Sequence, residues 1–303
     1  MNTRGAAAAS RRGLVGPILV AGEETSPIDG ALHVAQLLAR RDRVNAHVLT
    51  VVRPLALPAS LFAAIDREEW EEGRRQRQLS TVRQRLYETV GRTAYFSVSA
   101  ESGSPAPVIA RVARDRHAEL ILLGIDAHGA PGRAATADAA LQVTRTAAVP
   151  IVAIPPYVAL LPRRALVAMD FSEASARAAR AAALTLASGG SLTLAHVAPD
   201  IDFRGMGKEG WEHIYDRGVA GLFEQFVAEL RVPGEVDVDT VLLRGDPPAL
   251  LLELAARGAF ELVAAGSQTA RWVEWHLTGS VSTTLLRGAR CAILIAPPVD
   301  VQE

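Results

Sequence analysis

The sequence predicts an α/β protein of two tandem, doubly wound domains, each a five-stranded parallel sheet with helices on both faces. Short, continuously apolar segments alternate with longer amphipathic segments, and the order of these segments recurs in the second half of the chain. Strands that are apolar on both faces need helices on both faces, which is typical of parallel sheets. The 303 residues are enough for two such domains, since each needs roughly 150.

Five apolar segments in each half are predicted to be strands. Their length and composition match strands that are buried on both faces. In the first half they are Ile18–Ala21, Ala46–Val52, Ala94–Val98, Leu120–Leu123 and Ile151–Ile154. In the second half they lie near residues 165–169, 191–197, 236–243, 261–265 and 292–296.

Helices are predicted between the strands. Ser26-Pro27 predicts a helix start, with the serine as cap and the proline at the first helical position. Leu61 to about Val90 predicts a long helix, since it carries an apolar stripe at helical spacing. That stripe is Leu79, Val82, Leu86 and Val90. Val108–Arg116 and Ala139–Ala147 complete the first half.

The two halves form an internal repeat. Ile18–Glu23 matches Ala165–Asp170 at an offset of 147 residues, and Gly124 matches Gly266 at an offset of 142. A slowly drifting offset is what small loop deletions in a duplicated domain produce. We therefore expect one domain over residues 1–155 and a second over 163–303. Prolines in the segment between them stop the last strand of the first domain.

Composition excludes several classes of function. The net charge of -1 argues against a protein that coats nucleic acid or a membrane surface. The single cysteine, Cys291, excludes an intrachain disulfide and indicates a reducing compartment, so a cytoplasmic location is expected. No stretch approaches the 18 apolar residues of a membrane span. The seven histidines include no pair with metal-ligand spacing, so no metal site is predicted.

One motif in the second half predicts an anion site. Gly266-Ser-Gln-Thr269 follows an apolar strand, nine residues intervene, and Gly279-Ser280 then precedes a helix that begins near Val281. Small residues let a backbone approach a ligand, and a helix start offers free N–H groups to an anion. The first half has a degraded copy, in which Ala137-Asp138 stands in place of the Gly-Ser pair.

These motifs make both halves similar to domains of the universal stress protein family. The second half resembles the family best, through Ala165–Ser175, Ala195–Val197 and Gly266 to Ser280. The resemblance implies an adenine nucleotide alpha-hydrolase-like fold. The ATP-binding members carry the motif Gly-x2-Gly-x9-Gly-Ser/Thr, with an acidic residue after the first strand and a backbone contact to adenine at the end of the second.

Carried over to this chain, the resemblance implies a nucleotide site in the second domain only. Asp170 would hold the nucleoside, and Val197 would contact the adenine edge. The remaining residues of the implied site line the phosphates, and they are Gly266, Thr269, Gly279, Ser280 and Val281. ATP or another adenine nucleotide is the expected ligand, and no other cofactor is predicted.

Departures from the family motif set the expected strength of binding. Thr269 replaces the second glycine, and a left-handed backbone there would be strained by roughly 1–2 kcal/mol, which weakens binding about tenfold. In the first half a carboxylate at Asp138 would repel a phosphate at 4 Å by about 4 kcal/mol. Glu23, which takes the place of Asp170, is therefore expected to be a solvated carboxylate.

Three functions remain open from the sequence. The first is a stress-response binding and regulatory module that senses an adenine nucleotide in its second domain. The second is a nucleotide-independent scaffold that acts through a protein partner or as a homodimer. The third is a weak ATPase or phosphotransferase, which is less favoured because Ser280 has no identifiable base and no catalytic residue is assigned. His196, at a strand end, is expected to be a hydrogen-bonded histidine and not a general base.

Overall fold

The computed structural model describes residues 13–24, 27–54, 67–92, 94–198, 208–267 and 281–297. It divides into two compact units that part between Leu160 and Leu161. The elements of the first unit are β1 Ile18–Glu23, α1 Asp29–Asp42, β2 Ala46–Val52, α2 Arg67–Val90, β3 Phe96–Ser102, α3 Pro105–Asp115, β4 Leu120–Gly124, α4 Arg133–Thr146 and β5 Ile151–Ile154. Those of the second are β6 Arg164–Met169, α5 Glu173–Thr185, β7 Ser191–Ala198, α6 Lys208–Glu229, β8 Asp237–Arg244, α7 Pro247–Arg257, β9 Leu262–Gly266, α8 Val281–Gly288 and β10 Ala292–Ala296.

Each unit contains a parallel sheet with the same strand order. In the first unit the order is β3-β2-β1-β4-β5, and in the second it is β8-β7-β6-β9-β10. The predicted fold class of two doubly wound domains is confirmed. In each sheet the strand order reverses beside the first strand of the unit, and ligands of such folds bind beyond the carboxyl ends of the strands at that point.

The central strands form the core of each unit. In β1, Val20 and Ala21 are fully buried, and in β6, Leu166 and Val167 are fully buried. Neighbouring residues of a strand point to opposite faces, so both faces of these strands are covered. This explains why the strands appear in the sequence as continuous apolar runs.

Several helices and strands begin or end at other residues than the sequence predicted. The first helix begins at Asp29, after Ile28, and Ser26 lies outside the described residues. The third strand begins at Phe96 and continues to Ser102, because it pairs with β2 along its whole length. The helix predicted from Val108 begins at Pro105, since a proline fits the first turn.

The stripe predicted for the long helix is only partly buried. Val82 and Leu86 are buried, whereas Leu79 and Val90 are half-buried. Residues 61–66 of the predicted helix lie outside the described residues. The described helix begins at Arg67.

Gly124 ends β4 where the chain segment leading into α1 crosses it. A β-carbon at this position would lie 2.4 Å from the Pro27 carbonyl oxygen and 2.9 Å from the Ile28 Cα. Both are backbone atoms, so neither can move aside without shifting the start of α1. Glycine is therefore required here by packing.

We predict that Gly124→Ala lowers the free energy of unfolding by about 1–3 kcal/mol, because the added methyl overpacks this crossing. Urea denaturation monitored by circular dichroism measures the change. Gly73→Ala in α2 is the matched control, since its β-carbon would meet only the flexible Arg77 side chain, at 3.4 Å. The control should be neutral or stabilise by up to about 1 kcal/mol. Equal effects of the two substitutions would contradict the packing argument.

His47 is a buried histidine on β2 that contacts the neighbouring strand. Its Nδ1 lies 2.8 Å from Ser97 Oγ, and its Nε2 lies 2.7 Å from Ser99 Oγ. The side chain is 4% exposed. Burial, and secondarily the charge of Arg116, lowers the pKa of His47 from 6.5 to about 4. The imidazole is therefore neutral in the folded protein at neutral pH.

This depressed pKa predicts a loss of stability in mild acid. The unfolded chain takes up a proton on His47 below about pH 6.5, whereas the folded chain does so only near pH 4. His47 makes its full contribution to the free energy of unfolding above about pH 6.5, and this contribution falls as the pH drops to about 4. We expect a loss of about 1–2 kcal/mol after allowance for solvent screening. His47→Gln keeps hydrogen-bonding groups but does not titrate, so it should flatten the pH dependence of urea unfolding between pH 6.5 and 4.

Candidate functional site

A cavity of about 180 Å³ lies at the carboxyl ends of β6 and β7 in the second unit. It is at the point where the strand order reverses, between β6 and β9. Most of its wall is apolar. The lining residues are Ala168, Met169, Asp170, Ser175, Ala195, His196, Val197, Pro247, Leu251, Ala265, Gly266 and Val281.

The structure brings four of the seven predicted site residues to this cavity. They are Asp170, Val197, Gly266 and Val281. The other three, Thr269, Gly279 and Ser280, lie outside the described residues. The strand ends and the first residue of α8 therefore converge, although the sequence from Asp170 to Val281 spans more than a hundred residues.

Asp170 is held by the turn that leads from β6 into α5. Its Oδ1 accepts hydrogen bonds from the Ser172 backbone N–H, at 3.0 Å, and from the Ser172 hydroxyl, at 2.6 Å. Ser172 is the N-cap of α5, and its Oγ accepts from the Ser175 N–H at 3.2 Å. The exposed carboxylate of Asp170 thus has a defined position at the mouth of the cavity.

Phe171 makes the sharp turn that ends β6. Its φ of 61° is in the left-handed region, which costs a residue with a side chain roughly 1–2 kcal/mol. Its ring packs against His196, Phe223 and Phe226, with centroid distances of 5.0, 5.1 and 6.4 Å. Burial of this aromatic cluster offsets the backbone strain.

His196 has hydrogen-bond partners at both ring nitrogens. Nδ1 lies 2.7 Å from the Met169 carbonyl oxygen, and Nε2 lies 2.8 Å from the Tyr215 hydroxyl. Because a carbonyl oxygen only accepts, Nδ1 carries the proton and Nε2 accepts from the tyrosine. The prediction of a hydrogen-bonded histidine is confirmed. The contacts link β7 to β6 and to α6.

The backbone of Val197 faces the cavity beyond the end of β6. The Ser191 N–H donates to the Arg163 carbonyl oxygen at 2.8 Å, so every second residue from Ser191 to Val197 directs its peptide groups toward β6. The pairing of β6 with β7 ends at Met169 and His196. The Val197 carbonyl is therefore directed to a place that β6 does not reach.

Gly266 has a packing role that the motif did not indicate. A β-carbon there would lie 2.4 Å from the Ala174 carbonyl carbon and 2.7 Å from the Ala174 Cβ. Ala174 is in the first turn of α5. The glycine lets this helix start cross the end of β9, so the helix alone accounts for glycine at this position.

The corresponding site of the first unit contains an ion pair. The Arg53 Nη2 donates to Glu23 Oε1 at 2.6 Å, and a second contact joins Arg53 Nε to the same carboxylate. This hydrogen bond raises the pKa of Arg53. The expectation of a solvated Glu23 is therefore wrong, because an arginine that directly follows β2 neutralises it.

Strand pairing also differs between the two sites. In the first unit β1 continues to Glu23, which pairs with Val51. In the second unit the equivalent pairing of β6 with β7 ends one position earlier, at Met169 and His196. Val51 is therefore the counterpart of Val197. At its carboxyl end, the paired part of β1 thus reaches one residue further than that of β6.

Asp138 does not lie at the helix start where the repeat placed it. The helix α4 begins at Arg133, so Asp138 is its sixth residue and is not among those lining the first-unit cavity. The carboxylate that does line this cavity of about 200 Å³ is Asp126. A β-carbon on Gly132 would lie 2.5 Å from Asp126 Oδ2. The explanation of phosphate exclusion through Asp138 is therefore wrong.

Arg53 and Asp126 were not predicted from the sequence, although a signal existed for each. Asp126 is the second residue after Gly124 at the end of β4, and Arg53 is the first residue after β2. The carboxyl ends of parallel strands share one edge of a sheet, so charged residues there can meet.

Other classes of site receive no support from the residues described. Within the described ranges, no group of three metal-ligating side chains could hold a metal ion. Among the same residues, no helix is long and apolar enough to cross a membrane.

Comparison with known proteins agrees with this architecture. The model of the universal stress protein family matches residues 15–155 and again residues 162–297. The chain belongs to the universal stress protein family. Universal stress proteins of Mycobacterium bovis and Mycobacterium tuberculosis are 25% identical over 233 residues, which cover 75% of this chain and 78% of each relative.

Solved structures show the same tandem fold. A universal stress protein from Archaeoglobus fulgidus has a TM-score of 0.62 at 18% identity and covers 94% of this chain and 97% of its own. A putative universal stress protein from Pseudomonas aeruginosa has a TM-score of 0.62 at 17% identity and covers 94% of each chain. At these identities the similarity shows the fold alone.

The contact between His196 and Tyr215 predicts a stability effect beside the cavity. Tyr215→Phe removes the hydroxyl that donates to Nε2 and should lower the free energy of unfolding by about 0.5–1.5 kcal/mol. Tyr87→Phe, which removes a hydroxyl from a tyrosine that is 56% exposed, is the matched control and should change it by less than about 0.5 kcal/mol. Urea titrations of both variants provide the measurement. A neutral Tyr215→Phe would show that the contact does not stabilise β7.

Proposed function

We propose that this universal stress protein binds ATP or another adenine nucleotide in its second domain and acts as a regulatory module. The observation that carries the proposal is the early end of β6. It places the Asp170 carboxylate and the Val197 carbonyl at one cavity, with Gly266 and Val281 on its wall.

The two polar groups match a nucleoside. A carboxylate accepts hydrogen bonds, and a ribose presents hydroxyl donors to it. The exocyclic amino group of adenine is a donor that a backbone carbonyl such as that of Val197 can accept. The apolar wall between them suits the faces of a base, as in small-molecule sites that combine an apolar lining with a few polar groups.

The size of the cavity limits which part of the ligand it holds. Its volume of about 180 Å³ is below the roughly 300–1,000 Å³ of pockets that enclose a whole drug-sized ligand. We assign it to the nucleoside part. The phosphates would extend toward Thr269, Gly279 and Ser280.

Binding is favoured over catalysis. The ionisable side chains in the described cavity wall are those of Asp170 and His196, and both ring nitrogens of His196 are engaged. Phosphoryl transfer needs a positioned base and concentrated positive charge. The described wall supplies neither, so we propose a sensor without enzymatic turnover that works in the cytoplasm with a partner protein or as a homodimer.

We predict that ATP with Mg²⁺ raises the melting temperature of the second domain. Ligand at 100 times its dissociation constant adds about 2.7 kcal/mol, which corresponds to roughly 5–10 °C for a domain of this size. Asp170→Asn keeps an oxygen acceptor for Ser172 but loses the charge. It should weaken ATP binding about tenfold or more, because hydrogen bonds to charged groups are the stronger ones.

Glu23→Gln is the matched control, since Glu23 is the corresponding residue of the first domain and is paired with Arg53. It should leave the ATP-induced shift unchanged. Calorimetric titration of both variants measures the affinities. An Asp170→Asn variant that binds ATP as tightly as the natural chain would refute the assignment of the site.

A nucleotide-independent scaffold is the second candidate, favoured by the packing of Gly266 against Ala174. This packing accounts for the glycine without a ligand. No thermal shift at millimolar ATP, AMP or adenosine would support the scaffold over the sensor.

A further inference from the structure

The cavity of the first domain has a lining of different chemistry from that of the second. Its volume is about 200 Å³, and the ionisable residues that line it are Glu23, Arg53 and Asp126. Two carboxylates and one guanidinium give the lining one net negative charge, which disfavours the phosphates of a nucleotide. The rest of the wall is made mainly of small and apolar residues, and among them Ile109 and Leu123 are buried.

The carboxylate of Asp126 is positioned by the start of α4. The Asp126 N–H donates to Thr136 Oγ1 at 3.1 Å, and the Asp126 carbonyl oxygen accepts from Arg133 Nη1 at 2.7 Å. The carboxylate itself lies beside Gly132, the N-cap residue of α4, where the helix dipole stabilises a negative charge. Among the residues that the structure describes, none makes a hydrogen bond or ion pair with this carboxylate. It is therefore a fixed anion that lines a cavity without a cationic partner.

Arg53 retains hydrogen-bond donors beyond those that contact Glu23. Its Nε and Nη2 contact the Glu23 carboxylate. A guanidinium has five N–H donors, so three remain, and two of these are on Nη1. Within the described ranges, no other group makes a hydrogen bond with Nη1. The backbone of Arg53 is held in place, since its carbonyl oxygen accepts from Arg74 Nη1 at 2.9 Å.

These two groups reach the cavity from either side of β1. Arg53 directly follows β2, and Asp126 is the second residue after β4. In the sheet, β1 lies between β2 and β4, and it ends at Glu23. The cavity thus offers a carboxylate and the remaining donors of a guanidinium at separate places, with an apolar wall.

We propose that the cavity of the first domain binds a free amino acid with an apolar side chain. The ammonium group of this zwitterion pairs with the Asp126 carboxylate, and its carboxylate accepts from Arg53 Nη1. Its side chain packs on Ile109 and Leu123. A cavity of about 200 Å³ is below the roughly 300–1,000 Å³ of pockets for drug-sized ligands, so a small molecule is the appropriate size.

The lining favours a zwitterion over ligands with a single charge. An amine without a carboxylate leaves the remaining donors of Arg53 unused. A carboxylic acid without an amine brings a second negative charge to the cavity that Asp126 lines, and like charges repel each other. A molecule that carries both groups is attracted at both places and adds no net charge.

Probes that each lack one group of L-leucine test the proposal on the natural full-length chain. 3-Methylbutylamine lacks the carboxylate, 4-methylpentanoate lacks the ammonium group, and glycine lacks the apolar side chain. Each should bind at least about tenfold more weakly than leucine, because hydrogen bonds between charged groups and the burial of an apolar side chain each contribute that much. Ligand-observed NMR titration measures the four dissociation constants.

Two variants assign the charged groups of the ligand to their partners. Asp126→Asn should weaken leucine binding at least about tenfold but should not weaken binding of 4-methylpentanoate, which has no ammonium group to lose. Arg53→Gln should weaken leucine binding by a similar factor but leave 3-methylbutylamine unaffected. Melting temperatures without ligand show whether both variants fold.

Two controls separate this cavity from the protein surface and from the second domain. Asp115→Asn removes an exposed carboxylate at the end of α3, and Asp170→Asn removes the one at the cavity of the second domain. Both should leave the affinity for leucine unchanged. The result is therefore independent of whether the second domain binds ATP.

Three results would overturn the proposal. The first is no binding by the natural chain at about 10 mM leucine. The second is an affinity for the amine or the acid alone that equals the affinity for leucine. The third is a loss of leucine binding in Asp170→Asn as large as that in Asp126→Asn, which would place the ligand in the other cavity.

Discussion

Close packing at the carboxyl ends of the central strands is the constraint on which the rest of each domain depends. The helix that follows the first strand must cross the end of the fourth strand, and it does so over a glycine in both domains. Gly124 lies against the Pro27–Ile28 backbone, and Gly266 lies against Ala174. Once these crossings are made, the strand ends and the first turn of the helix enclose a small cavity at the point where the strand order reverses.

The end of the first strand determines which polar groups line the cavity of each domain. In the second domain, Phe171 adopts a left-handed conformation that the aromatic cluster with His196 and Phe223 supports, and β6 therefore stops short of Val197. In the first domain β1 continues to Glu23, whose charge Arg53 neutralises. The two domains share one architecture, but the first uses the same edge for an internal ion pair.

Much of the fold was predictable because its signals are local in sequence. Buried parallel strands need continuous apolar runs, so Ala46–Val52 and Ile151–Ile154 were predicted with the bounds that the structure shows. Helix starts were harder to predict. The start of α4 at Arg133 lies six residues before the predicted one, because Arg133 is buried and donates to the Asp126 carbonyl, a contact that the helical pattern does not reveal.

The sequence by itself determined the duplication, the fold class and the convergence of Asp170, Val197 and Gly266, since these follow from the order of apolar segments and from the rule that strand ends share one edge. Only the tertiary structure decided what the residues at that edge do. It assigned a packing role to Gly266, placed Asp138 inside a helix and paired Glu23 with Arg53. Such roles depend on distances between segments far apart in the chain, which local sequence patterns do not encode.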